Sequence, residues 1–194
     1  MQKLFFIAAL TLVSAIAAQA QDPRTEIFGG YSYLLGDDDD DGIDLHGWNA
    51  SFNQNLVKWA GIKADFSGHY TEVTLAPGLR GDLRAHLFLL GPQFTLRKGE
   101  RVQPFVHALF GAMRADLYFF TPAAGRVTLR DAAFAMALGG GLDIKVVDNL
   151  AIRLFQTDYV LTKFNNGLFS SSIGDDTQHN FRVSTGLVLR FGEK

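Results

Sequence analysis

The residues best suited to chemistry fall into four groups. Asp37 to Asp41, Gly42 and Asp44 place carboxylates at alternate positions with a glycine at the sixth, which is how a calcium-binding loop begins. Such a loop ends on a bidentate glutamate at its twelfth position, where this chain has Trp48. The run is expected to be a solvated acidic loop, with divalent cations as the ligand to test. Ser67 and His69 would share one face of a strand, with Asp65 or Glu72 to orient the base, as a nucleophilic triad needs. Residues two apart on a strand are ~6.5 Å apart along it, marginal for direct contact, and no Gly-x-Ser-x-Gly elbow is present. His46, His69, His86, His107 and His179 lack close metal-ligand spacing, although a fold that brought His46, His69, His86 and His179 to one end would make a site conceivable. Finally, Lys63, Asp65, Asp143, Arg153, Asp158, Arg182 and Arg190 lie on the polar faces of predicted strands. If buried they must pair or hydrogen-bond, forming either a salt-bridge network or a narrow ion path. These types and spacings assign no catalytic, cofactor-binding or metal-binding residue.

The elements that must position them begin after an export signal. Met1-Gln2-Lys3 is a short basic start, Leu4 to Ala18 is mostly apolar and uncharged, and Ala18-Gln19-Ala20 supplies small residues at the two positions a signal peptidase reads. Residues 1–20 are therefore expected to be cleaved after Ala20, leaving residues 21–194 as one domain. The apolar run is shorter than the ~20 residues a spanning helix needs, and no later segment approaches that length. The chain has 18 basic and 20 acidic residues. That balance does not point to a nucleic-acid partner. It has no cysteine, which excludes disulfides, thiolate metal sites and a cysteine nucleophile.

The remainder reads as eight strands, near Glu26–Leu35, Leu45–Asn53, Trp59–Thr71, His86–Leu96, Val102–Arg114, Ala132–Ile144, Leu150–Leu161 and Asn180–Phe191. In the last, Phe181, Val183, Thr185, Leu187, Leu189 and Phe191 oppose Asn180, Arg182, Ser184, Gly186, Val188 and Arg190. In the third, Ala60, Ile62, Ala64, Phe66 and Tyr70 oppose Gly61, Lys63, Asp65, Ser67 and His69. In the sixth, Phe134, Met136, Leu138 and Leu142 oppose alanines and glycines. Leu87 to Leu90 is apolar on both sides, and Arg153 to Asp158 breaks register in the manner of a bulge. One oily and one polar face per strand suits a soluble barrel turned inward or a membrane barrel turned outward.

The connections separate these two. Short links at Gln54–Lys58, Arg97–Arg101 and Lys145–Asn149 alternate with longer ones, as periplasmic turns alternate with external loops in an outer-membrane barrel. The long connections include Ala115–Asp131, with Tyr118, Phe119 and Phe120, and Thr162–His179, with Phe164, Leu168 and Phe169, which offer aromatics to a surface partner or extend the strands. Tyr31, Tyr33, Trp48, Trp59, Tyr70 and Tyr159 fall near strand ends, as interfacial girdles would.

On these features the chain resembles the small OmpA/OmpX-type outer-membrane β-barrels, from about Thr25 to the closing strand Asn180–Phe191. The resemblance implies an all-β, eight-stranded, antiparallel up-and-down transmembrane barrel. It also implies insertion by the outer-membrane assembly machinery, which favours a C-terminal aromatic; here Phe191 is followed by three more residues. The expected setting is the lipid and lipopolysaccharide of a Gram-negative cell envelope. The expected role is structural or surface-interactive, without enzymatic activity, in a monomer with a lumen plugged by side chains. A soluble periplasmic lipocalin-like carrier and a small-barrel enzyme acting on lipid are the alternatives.

Overall fold

The alternation of large apolar with small or polar side chains produces eight strands in the computed structural model, which describes residues 25–36, 44–76, 79–97, 101–121, 125–164 and 177–192. They are β1 (Thr25–Gly36), β2 (Leu45–Val57), β3 (Ala60–Ala76), β4 (Leu79–Thr95), β5 (Val102–Thr121), β6 (Gly125–Val147), β7 (Leu150–Phe164) and β8 (Thr177–Phe191). Each pairs antiparallel with its chain neighbours, and β1 pairs with β8 from Thr25↔Phe191 to Gly36↔Asn180, closing the barrel. Closure leaves no open sheet edge within the wall, the condition for a sheet to sit in lipid. Residues 1–20, Asp37 to Asp41 with Gly42, and Leu168 and Phe169 lie outside the described residues.

The large apolar side chains face outward. Phe52, Phe66, Phe88, Leu90, Phe110, Phe134, Leu138, Leu187 and Leu189 are all exposed, whereas Lys63, Asp65, Ser67, His69, Arg182 and Ser184 on the opposite faces are buried. A soluble carrier would need its oily strand faces to line a cavity; here they form the outer wall. The irregularity at Arg153–Asp158 is a bulge in β7, where the pairing with β8 shifts between Arg153 and Gln156. Leu154 and Phe155 consequently both point outward, and the inward polar sequence resumes at Gln156.

Two of the expected long loops are strand. Residues 77–78 alone separate β3 from β4, and 122–124 alone separate β5 from β6. Most of Ala115–Asp131 therefore pairs in register, including Leu117↔Leu129 and Phe119↔Val127. Likewise the ends of Thr162–His179 belong to β7 and β8. The strict alternation of short and long connections fails for this reason. Period-two patterning continues past the apolar belt with Arg126, Thr128 and Arg130 in place of oily residues, a composition that reads as loop. Gly125, at φ 71°, supplies the left-handed residue that starts β6. The result is asymmetric. β3 runs on beyond its last β2 pair at Tyr70, and β6 begins before its first β7 pair at Ala133, so β3–β6 form a four-stranded ribbon standing above the rest of the wall.

Candidate functional site

Barrel closure gathers inward side chains that lie far apart in sequence. At the centre, Arg182 donates through Nε and Nη2 to Asp158 Oδ2 at 2.8 and 2.7 Å. Its Nη1 donates to Asp65 Oδ1 and Ser67 Oγ, each at 2.9 Å. Lys63 Nζ lies 3.3 Å from Asp65 Oδ2 and donates to Gln156 Oε1 at 3.1 Å. Gln156 donates in turn to Asp158 at 2.8 Å, and His107 Nε2 meets the other Asp158 oxygen at 2.7 Å. In a ring of eight, β3 and β7 stand opposite each other, so the Lys63–Gln156 contact spans the lumen.

Nearer the short turns, Arg153 binds both oxygens of Asp143, at 2.8 and 3.1 Å, and donates to Gln156 Oε1 at 2.7 Å. Its guanidinium lies between the rings of Phe105, at 4.2 Å, and Phe28, at 4.5 Å, a geometry in which a desolvated cation is stabilised by the ring quadrupoles. Glu26 accepts from Arg97 at 2.9 Å and Asn53 at 3.2 Å, and lies 3.3 Å from Arg190. All seven charged residues read from the sequence as inward are buried there. Glu26 and Gln156 were missed, and His107, named among the scattered histidines, joins the charges through Asp158. Register holds the signal for the first, because closing β1 on β8 sets Glu26 opposite Arg190.

Towards the ribbon the lumen changes character. Leu34, Leu45, Leu87, Leu109, Met113 and Val160 pack with Ala133, Ala135 and Ala137 in a buried apolar cluster. The Ser67–His69 pair is not assembled. Ser67 Oγ is taken by Arg182, while His69 Nε2 bonds to Ser32 Oγ at 3.0 Å, and Ser184 donates to that same Ser32 oxygen at 2.9 Å. His69 Nδ1 has no hydrogen-bond partner among the described residues, so nothing there orients it as a base.

The other histidines do not converge on one point either. His46 pairs with Tyr31, His86 with Tyr70 at 3.3 Å, and His179 with Tyr159, whereas His107 sits in the lumen. Trp48 Nε1 also donates to Tyr70 at 3.3 Å. These groups crown the apolar belt at the ribbon end, and Trp59, stacked on Phe94 at 5.9 Å, borders it at the turn end. Asp44, the described member of the acidic run, accepts from Tyr33 at 2.5 Å. Phe119 and Val127 form a cross-strand pair within the ribbon, and Phe120 projects outward.

An oily outer belt bordered by aromatics, around a polar lumen, is a membrane-barrel geometry, and solved structures agree. Ail, the attachment invasion locus protein of Yersinia pestis, superposes with a TM-score of 0.64 at 19% identity, over 88% of this chain and 100% of that one. Neisserial surface protein A gives 0.58 at 9% identity over 86% and 97%. OprG of Pseudomonas aeruginosa gives 0.53 at 13% over 90% and 98%. The fold is that of the small OmpA/OmpX-type outer-membrane barrels. No protein-family model and no curated protein matches the sequence, so the likeness lies in architecture. In this barrel the arrangement offers two functional surfaces: the lumen with its ionic network, and the rim and ribbon above the belt.

Proposed function

We propose that the protein is a non-conducting barrel of the outer membrane, serving envelope structure or surface interaction through its ribbon end. The carrying observation is the set of contacts between facing walls. Arg182 of β8 holds Asp65 of β3, and Lys63 of β3 meets Gln156 of β7. An eight-stranded barrel has an interior just wide enough for its own side chains, and the apolar cluster adds a second layer beyond the charges. Residues 1–20 are the export signal in this reading, and N-terminal sequencing of the membrane form should begin at Gln21. Lipid is the immediate partner, and the assembly machinery acts during insertion. The attachment role named for Ail supports a surface-interaction reading for this ribbon.

The test combines location with conductance. The full chain should float with outer membranes and migrate differently on gels when unboiled and boiled. In planar bilayers it should give no steady current, whereas Arg182→Ala should open transient conductance. Recovery in the soluble periplasm would overturn the location, and steady wild-type channels would overturn the plugged lumen.

A further inference from the structure

Two prolines stand inside the wall, and both take a donor from the same seam. β4 and β5 pair in constant register from Gly81↔Phe119 to Thr95↔Phe105, yet no pair forms at Gly91 or Pro92. The other breaks in pairing among the described residues are shifts of register, and this one is not. Hydrogen-bonded positions alternate along an antiparallel pair. Leu96 donates to the Pro104 carbonyl at 2.9 Å, whereas Thr95 donates the other way, to Trp59. That phase makes Leu96↔Pro104, Phe94↔Val106 and Pro92↔Ala108 the bonded positions. Neither proline has an N–H to return, so the carbonyls of Leu96 and Ala108 lose their ladder donors. Proline inside a sheet is otherwise confined to edges and bulges.

The gap lies within the oily belt, since Leu90, Phe94, Val106 and Phe110 around it are exposed. A carbonyl without a donor finds none in lipid, where each unsatisfied group is costly. The lumen side offers what the lipid side lacks. Gly91, on the inner face of the gap, has no side chain to cover the backbone. Next along the seam Gln93 and His107 pair across it, both buried. Gln93 Oε1 and His107 Nδ1 have no hydrogen-bond partner among the described residues, and buried polar atoms of this kind are ordinarily met by water. His107 also holds Asp158 through Nε2, which ties one bank of the seam to the ionic layer.

We propose that the wall parts locally between β4 and β5 at Gly91–Pro92, forming a lateral vent through which lumen water reaches the carbonyls of Ala108 and Leu96. The ribbon half of the seam, from Gly81↔Phe119 to Leu90↔Phe110, stays paired. The vent goes beyond the plugged-lumen reading, because the plug blocks passage along the barrel axis and the vent opens through its side. It rests on the membrane location proposed above.

Hydrogen exchange of the membrane-inserted protein in phospholipid nanodiscs, resolved at single amides by NMR, tests it. The amides of Phe94, Val106 and Ala108 should exchange on the order of tenfold faster than those of Ile27, Leu187 and Leu189 in the unbroken β1–β8 ladder, as two missing ladder bonds imply. Pro92→Val/Pro104→Val restores both donors with a strand-forming side chain. It should slow Val106 and Ala108 to the rate of the β1–β8 amides and leave those amides unchanged. Heat-dependent gel migration confirms that the variant is a folded barrel, and the comparison within the wild type needs no variant. Equal exchange in the two ladders overturns the proposal, as does fast exchange at Ala108 that persists in the valine variant. An inserted barrel with uniform protection defeats this proposal alone, whereas a protein that does not enter lipid defeats the location reading.

Discussion

Near its short turns the lumen holds Glu26, Lys63, Asp143, Arg153 and Arg190, whereas nearer the ribbon the same wall turns inward Leu34, Leu87, Leu109, Met113 and a run of alanines. Both ends are buried and both fill the barrel, but they fail in different ways. An apolar layer loses stability roughly in proportion to the volume removed. An ionic layer does not, because deleting one partner strands the other's charge in a medium that solvates it poorly. The charged end should therefore be intolerant of single changes and tolerant of matched ones, and the apolar end should respond by size.

The largest effect is expected for Arg182→Ala. The change leaves Asp158 with His107 and Gln156, and Asp65 with Lys63 and Asn49. Breaking a buried pair in this way costs about 3–5 kcal/mol, readable as a lowered urea midpoint in micelles. Leu109→Ala, at a fully buried position in the apolar layer, should cost about 3 kcal/mol. If the two variants cost the same, the contrast between the layers is wrong.

The same contrast governs what could be read beforehand. Where a strand alternates sharply, as β3 and β8 do, every inward charge was legible, because a lone Lys63 or Arg182 among small polar residues has one plausible direction. Where both faces are apolar, parity gives no sign. β4 and β5 turn Leu87, Leu89, Phe105 and Leu109 inward but Phe88, Leu90, Val106 and Phe110 outward, so parity showed neither the apolar layer nor the direction of His107. The ribbon was misread for a related reason. Its alternation persists, but with Arg and Thr on the outer face and Val and Leu on the inner, so hydropathy fell while the pairing continued. The Tyr–His pairs of the rim depend on cross-strand register, which one strand's sequence does not contain.

A smaller effect separates space from charge. Gly139 lies where an added Cβ would be 2.1 Å from Asp158 Oδ1 and 2.5 Å from the Thr157 carbonyl. Gly139→Ala should cost about 1–3 kcal/mol by overpacking, by displacing the carboxylate that His107 and Arg182 share. Ala135→Gly, in the apolar layer, should cost less, about 1 kcal/mol, since it removes a single methyl and introduces a flexible residue.

The smallest expected change is the sharpest test. Asp143 and Arg153 bind each other bidentately beside Phe28 and Phe105, so apolar neighbours already surround the pair. Asp143→Leu alone strands Arg153, and Arg153→Met alone leaves Asp143 with the more distant Arg190 at 3.6 Å. Each single change should cost about 3–5 kcal/mol, whereas the double variant should lie within about 1 kcal/mol of the wild type, since matched apolar replacement of a buried pair is often neutral. The coupling energy of the double-mutant cycle would then be several kcal/mol. If the costs simply add, Asp143 and Arg153 are not coupled, and each is held by its other partner, Arg190 for Asp143 and Gln156 for Arg153.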